Sequence, residues 1–215
     1  MYLSRDRFKE ISKCLHFYDN EKAKESSDKF IKVFPLVECF NNTFSSVYEL
    51  GRHVAYDEAT IASLSRYMPS KVYNCNKPHK WGVKMHMVNC STTGFCTKFE
   101  IYKGKMDATG KVNVDKSGPS SLLRNVKHLA HSNRIIYCDR FYTCLSLFIQ
   151  LRSIGLYACG TIMPNRVGFP SAIKMYKKEK LSRGTVRQAT TNYKYRKIWN
   201  LICTFLARYQ ASTFC

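Results

Sequence analysis

With 215 residues, 45% of them hydrophobic, the chain can bury a core of its own and is too apolar for a disordered tail. No apolar run approaches a membrane span, and the opening M-Y-L-S-R-D-R-F-K-E lacks the basic-then-apolar pattern of a signal peptide. Thirty-five Lys and Arg against 15 Asp and Glu give a formal charge of +20, far beyond what solubility requires.

The expected setting is therefore the cytosol or nucleus, with no membrane insertion. The expected partner is a polyanion, nucleic acid first and an acidic membrane surface second; a merely basic surface is the bland alternative. Ten cysteines at 14, 39, 75, 90, 96, 138, 144, 159, 203 and 215 form no C-x-x-C pair. A structural zinc site usually needs such pairs, so these residues, Cys138 and Cys159 among them, read as reduced core thiols.

In chain order, residues 4–17 open with Ser4 as an N-cap candidate and carry Phe8, Ile11 and Leu15 at helical spacing. After a polar loop, Phe30, Val33, Leu36, Val37, Phe40, Phe44 and Val47 continue a helical stripe that Pro35 kinks or restarts. These helices read as a packing layer without chemistry. Between His53 and Gly104 come three runs rich in β-branched and aromatic residues, H-V-A-Y-D-E-A-T-I, V-K-M-H-M-V-N-C and F-C-T-K-F-E-I-Y, separated by Pro-, Gly- and Asn-bearing turns. A polar loop leads to a helix over 119–131 through Leu122, Leu123, Val126 and Leu129. R-I-I-Y-C-D is then a buried strand ending on Asp139. A helix over 143–153 ends at Gly155 as its C′ residue, and L-Y-A-C-G-T-I-M is a last strand. Strand, strand, strand, helix, strand, helix, strand is an α/β order with an antiparallel opening and parallel crossovers after it.

Two acids stand out. Asp57 lies inside the first strand, where acids are depleted, and Asp139 ends the fourth. If those strands are neighbours, the carboxylates converge, as a Mg²⁺ site for phosphodiester cleavage requires. The alternative makes Asp139 an N-cap of the following helix and Asp57 a turn residue.

The segments Y-D-E-A-T-I, Y-N-C-N-K-P-H-K-W-G-V-K, E-I-Y-K-G-K, Y-C-D-R-F-Y-T and Y-A-C-G-T-I-M-P-N-R resemble the catalytic domain of piggyBac-type transposases. S-R-D-R-F…L-H-F-Y-D and D-K-F-I-K-V-F-P-L are similar to the stretch before it, so the likeness is collinear from about residue 3 to 184. The resemblance implies a ribonuclease-H-like core, a mixed sheet flanked by helices and preceded by a helical segment. It further implies Mg²⁺ (or Mn²⁺), DNA with TTAA-type targets, and dimers. Its first two catalytic aspartates fall on Asp57 and Asp139, while Glu58 belongs to the signature but points away from Asp57 by strand alternation. The third has no counterpart: Glu179 is the one acid after Asp139, within K-M-Y-K-K-E-K. The resemblance ends near Gly184, without the family's zinc-binding domain or its long N-terminal region, so the chain reads as truncated at both ends. Arg140 replaces the usual Asn and could pair with Asp139, and S-L-S-R-Y at 63–67 lacks a customary glycine.

Lys77, Lys80 and Lys84, with His79 and Trp81 among them, read as phosphate contacts, and Arg166 as a further backbone contact. Trp81 is either a core residue or a base-stacking one. Residues 174–183 could be a nuclear-localisation patch. The tail over 193–209 places Ile198, Leu201, Ile202, Phe205 and Leu206 at helical intervals, as an amphipathic helix or as degenerate sequence. Together these readings predict a helical segment (1–50), an incomplete ribonuclease-H-like core (51–184) and a basic tail (185–215). The expected protein is nuclear, transposase-derived and DNA-binding, without full cut-and-paste activity. The alternative is an active Mg²⁺-dependent nuclease in which Glu179 or a partner chain completes the site, and a remnant with no function is a third reading.

Overall fold

The computed structural model describes residues 3–26, 28, 30–68, 70–75, 77–103, 118–174 and 185–191, and the backbone of 201–206. It forms two compact units, Met1–His128 and Leu129–Cys215, so the division falls inside the segment 51–184.

In the first unit, α1 (Arg5–Cys14) starts where Ser4 Oγ accepts the Arg7 N–H at 3.3 Å. Its apolar stripe does not form the expected packing layer: no residue of α1 is buried, and Phe8 is 61% exposed. A short α2 (Asn20–Glu25) is capped by Asp19, and a 3₁₀ turn at Ile31–Val33 leads into α3 (Phe34–Val47). Pro35 sits in the first turn of α3, where a missing N–H costs nothing, so proline restarts the helix rather than kinking it.

Three strands match the three predicted runs: β1 (His53–Ala62), β3 (Trp81–Cys90) and β4 (Cys96–Ile101), with a two-residue β2 (Val72–Tyr73) before the basic turn. β3 is central. It pairs antiparallel with β1 from Val54↔Cys90 to Ala62↔Gly82, and with β2 and β4 on its other edge. A Cβ at Gly82 would lie 2.4 Å from the Ile61 carbonyl, so only glycine allows that approach. Beyond β4, the Asn41 amide of α3 bonds both backbone groups of Phe99, donating at 3.0 Å and accepting at 2.8 Å. One side chain thus adds a rung to the outer strand and blunts its edge. Phe44 packs on Phe95 and Phe99 beside it.

Alternation along β1 puts Val54 and Tyr56 on one face, both buried, and Asp57 on the other. α4 (Gly118–Val126) packs by Leu122 and Val126 and also carries two buried polar residues, Ser121 and Asn125. The Tyr56 hydroxyl lies 2.7 Å from Ser121 Oγ, and Asn125 Nδ2 donates to Tyr56 Oη at 3.3 Å and to Glu100 at 2.7 Å. Arg124 completes the chain with a two-pronged contact to Glu100 at 2.8 and 3.1 Å. Burial pushes the Tyr56 hydroxyl up to about 12. His86, stacked on Tyr56 and edge-on to Tyr102, is held below its ordinary value by burial first and by Lys84 second.

In the second unit, β5 (Ile135–Cys138) pairs in parallel with β6 (Tyr157–Gly160) across α5 (Leu145–Ser153), a βαβ crossover. α5 closes as the sequence predicts: Gly155 has φ +74°, its N–H bonds the Arg152 carbonyl at 3.1 Å, and Leu156 N–H reaches the Leu151 carbonyl at 2.9 Å. Leu151 and Leu156 are both fully buried, the apolar contact that accompanies this ending.

Two expectations are corrected here. The backbone of Leu201–Leu206 is a strand, β8, antiparallel to β7 (Val186–Thr191), not part of an amphipathic helix. Its β-branched and aromatic content and its strand partner outweigh a few matches to helical spacing. Of the eight cysteines described, Cys90 and Cys138 are buried, whereas Cys14, Cys39, Cys75 and Cys159 are exposed, so the core-thiol reading holds for two.

Two stability effects follow. Asn41→Leu leaves the Phe99 backbone groups without partners and is expected to cost about 1–3 kcal/mol in urea unfolding. Because the folded state holds His86 neutral, its contribution is complete above pH 6.5 and is lost as pH falls through the folded-state pKa. Glu58, Glu100, Lys84 and Arg124 face the same ring electrostatically. The melting temperature should drop on acidification below pH 6.5, and His86→Gln should flatten part of that drop.

Candidate active site and nucleic-acid interface

Asp57 occupies the middle of β1 opposite Met87, and its Oδ1 accepts the Glu58 N–H at 2.8 Å. It is exposed and is not a turn residue. Glu58 lies on the opposite face, 3.3 Å from Lys84 Nζ, with the two side chains 28% and 20% exposed. Glu58 thus points away from Asp57, as strand alternation predicts. Lys84, read from sequence as a phosphate contact, is engaged in this half-buried pair.

Asp139, also exposed, follows the last residue of β5. Its Oδ1 accepts the Phe141 N–H and its carbonyl accepts those of Tyr142 and Thr143 at 3.2 and 3.1 Å. Thr143 Oγ1 donates to the same carbonyl at 2.8 Å. This is an Asx turn, not a helix cap, because α5 begins six residues later behind Cys144. The second carboxylate oxygen, Oδ2, has no hydrogen-bond partner among the described residues. Nor, among them, does an ion pair join Arg140 to Asp139, contrary to the expected pairing.

Two further residues shape this turn. A Cβ at Gly160 would lie 2.4 Å from Thr143 Oγ1 and 2.5 Å from the Cys138 carbonyl, so the end of β6 reaches the turn only as glycine. Arg166 donates to the Phe141 carbonyl at 2.7 Å and to that of Arg140 at 3.4 Å. The residue expected to grip a DNA backbone thus holds its own chain beside Asp139. Sequence reasoning gave neither Gly160 nor Thr143 a role, although both lie within recognisable segments.

On the first unit, Lys77, His79 and Lys80 stand exposed on the turn between β2 and β3, which is closed by Asn74 N–H bonding the Lys80 carbonyl at 2.7 Å. Trp81 is 44% exposed, so its core reading is overturned. The turn at 63–67 forms without glycine: none of those five residues has a positive φ.

Carboxylate oxygens of the kind Asp57 and Asp139 supply suit Mg²⁺. Among the described residues no group of three or more His, Cys, Asp or Glu is arranged to hold a metal ion, and Glu179 lies outside those residues.

A family model described as Transposase IS4 matches residues 1–213. Human PiggyBac transposable element-derived protein 3 is 29% identical over 209 residues, 94% of this chain and 33% of that protein. Human PiggyBac transposable element-derived protein 2 is 30% identical over 169 residues, 76% of this chain and 28% of that protein. The chain belongs to the piggyBac-type transposase family. A cryo-EM structure of the piggyBac transposase synaptic complex with hairpin DNA matches at a TM-score of 0.75, with 25% identity over 99% of this chain and 45% of that one. The fold class is thus the expected α/β, ribonuclease-H-like one, with strands of mixed direction flanked by helices. This piggyBac-family chain spans about a third of the length of the curated relatives named here.

The turn carrying Asp139 depends on Gly160. Gly160→Ala is expected to cost about 1–3 kcal/mol through overpacking. Gly51→Ala, where an added Cβ meets nothing within 4 Å, should stay within about 0.5 kcal/mol of the parent in the same urea titration.

Proposed function

We propose that this transposase-derived chain binds DNA through its positive charge and does not by itself carry out complete cut-and-paste transposition. One observation carries the reading. Residues 59–99 contain no Asp or Glu but six Lys and Arg, and within that stretch Lys77 and Lys80 project from an exposed turn. Local charge of one sign raises the concentration of a polyanion at that surface, and each lysine on a phosphate releases condensed counterions. The DNA complex solved for the related transposase makes duplex or hairpin DNA the natural ligand class. A TTAA-type target, a homodimer and a nuclear location belong to the same proposal through family resemblance.

The one acid after Asp139 in this sequence, Glu179, lies in the basic run K-M-Y-K-K-E-K, and that setting supports the loss of full activity. A rival reading has its own support. Asp57 and Asp139 are exposed, and Asp139 commits one oxygen to its turn while the other has no hydrogen-bond partner among the described residues. In that reading both acids hold Mg²⁺ or Mn²⁺, and Glu179 or a partner chain supplies the remaining ligand. The metal would polarise a phosphodiester and lower the pKa of a water.

Fluorescence anisotropy with a 20-base-pair duplex across a salt series tests the binding reading. Affinity should fall steeply with salt, and the Lys77→Ala, Lys80→Ala double variant should make the log–log slope shallower by about 2. A salt-insensitive or absent interaction rejects it. A thermal melt with Mn²⁺ tests the rival: a rise in the parent that Asp57→Asn abolishes would restore the nuclease reading.

A further inference from the structure

We infer that Tyr73 and Trp81 form a stacking platform for the bases of an unpaired nucleic-acid strand, with Lys71, Lys77 and Lys80 taking its phosphates. This rests on the DNA-binding reading and adds a strand preference to it. Tyr73 and Trp81 are directly paired across β2 and β3, with ring centroids 4.9 Å apart, and are 51% and 44% exposed. Aromatic side chains of this size bury most of their surface when they serve a core. These two hold each other in place while about half of each residue stays open to solvent. The pairing also limits the rotamer freedom that a ligand would otherwise have to remove, so the surface is preorganised.

The surroundings determine the ligand class. Lys71 Nζ lies 5.7 Å from the Trp81 ring centre, and Lys77, His79 and Lys80 are exposed on the adjoining turn. No acid occurs between residues 59 and 99, and the three lysines nearest the ring pair in sequence, Lys71, Lys77 and Lys80, favour an anionic partner. A duplex satisfies the charge but hides its base faces in the stack. A single strand satisfies both, since every base offers a π-face whatever its identity. The platform is therefore sequence-tolerant and strand-selective, whereas lysines alone would not distinguish the two forms.

The test uses the full chain carrying Trp199→Phe, which leaves Trp81 as the single tryptophan. Its fluorescence is titrated with the oligonucleotide dT12 and with a 12-base-pair duplex. Stacking predicts strong quenching by dT12 and little by the duplex. Read by fluorescence anisotropy of labelled strands, Trp81→Leu should weaken dT12 binding about tenfold or more, as loss of one base–aromatic stack implies, and change duplex binding less than about twofold. Trp81→Phe should recover most of the loss, and Tyr73→Leu gives a second, independent variant. Duplex binding with no dT12 quenching, or an equal loss on both ligands, overturns the platform and leaves the basic reading intact. Binding of neither overturns both. A blue shift of Trp81 on phosphatidylserine vesicles without any response to dT12 also overturns it, in favour of a membrane surface.

Discussion

The bond between the Tyr56 hydroxyl and Ser121 pins the first unit. It is 2.7 Å long and buried, and it can form only if β1 keeps its register against β3. A slip of one residue would exchange the two faces of the strand, exposing Val54 and Tyr56 and driving Asp57 inward. Apolar contacts alone specify such a register loosely, because Val54 and Val88 would accept other apolar neighbours. The hydroxyl does not, since a buried donor without a partner costs more than the bond itself contributes. Asn125, Glu100 and Arg124 extend the same network to β4 and the outer turn of α4, so one polar chain joins three elements. The exposure of Asp57 follows from that constraint.

A comparable economy governs the second unit. The Asp139 carboxylate spends one oxygen on the Phe141 amide, and its carbonyl takes three further donors, so the turn is built around this residue. Gly160 and Arg166 then hold the turn from two other segments. An acid so closely bound into its own backbone has a fixed direction, which suits a ligand that must not move. The same bonds would preserve it as a structural residue after any catalytic role had gone. The presence of Asp139 is therefore weak evidence for catalysis.

Most of the element order could be read from the sequence because the signals were local. Ser4 before an amphipathic run, Pro35 at a helix start and Gly155 after one act within a single turn, and each was found where expected. The failures were non-local. Trp81 reads as core because strand starts usually are, and only the two-residue β2 beside it reveals an exposed aromatic pair. Lys84 and Arg166 have the charge for phosphate, and their pairing with a Glu on a neighbouring strand and with carbonyls some 25 residues away was not legible in sequence. Leu201–Leu206 matched helical spacing by coincidence of a short window, and strand pairing decided otherwise. The buried Ser121 and Asn125 left no mark, since polar residues on a helix normally signal solvent.

The two readings of this chain differ in how they tolerate loss. Metal-assisted phosphodiester chemistry requires its ligands together, so a missing carboxylate removes more than its share of the rate. Attraction to a polyanion is close to additive in charges, so removing one lysine or arginine lowers such an affinity by a step and does not abolish it. On the proposed reading, an acid-free stretch of 41 residues, 59–99, would keep its attraction for a polyanion under substitutions that would silence a nuclease. What charge alone cannot preserve is discrimination between nucleic-acid forms. That requires a shape-bearing group, and in the first unit the exposed Tyr73–Trp81 pair has the chemistry to provide one.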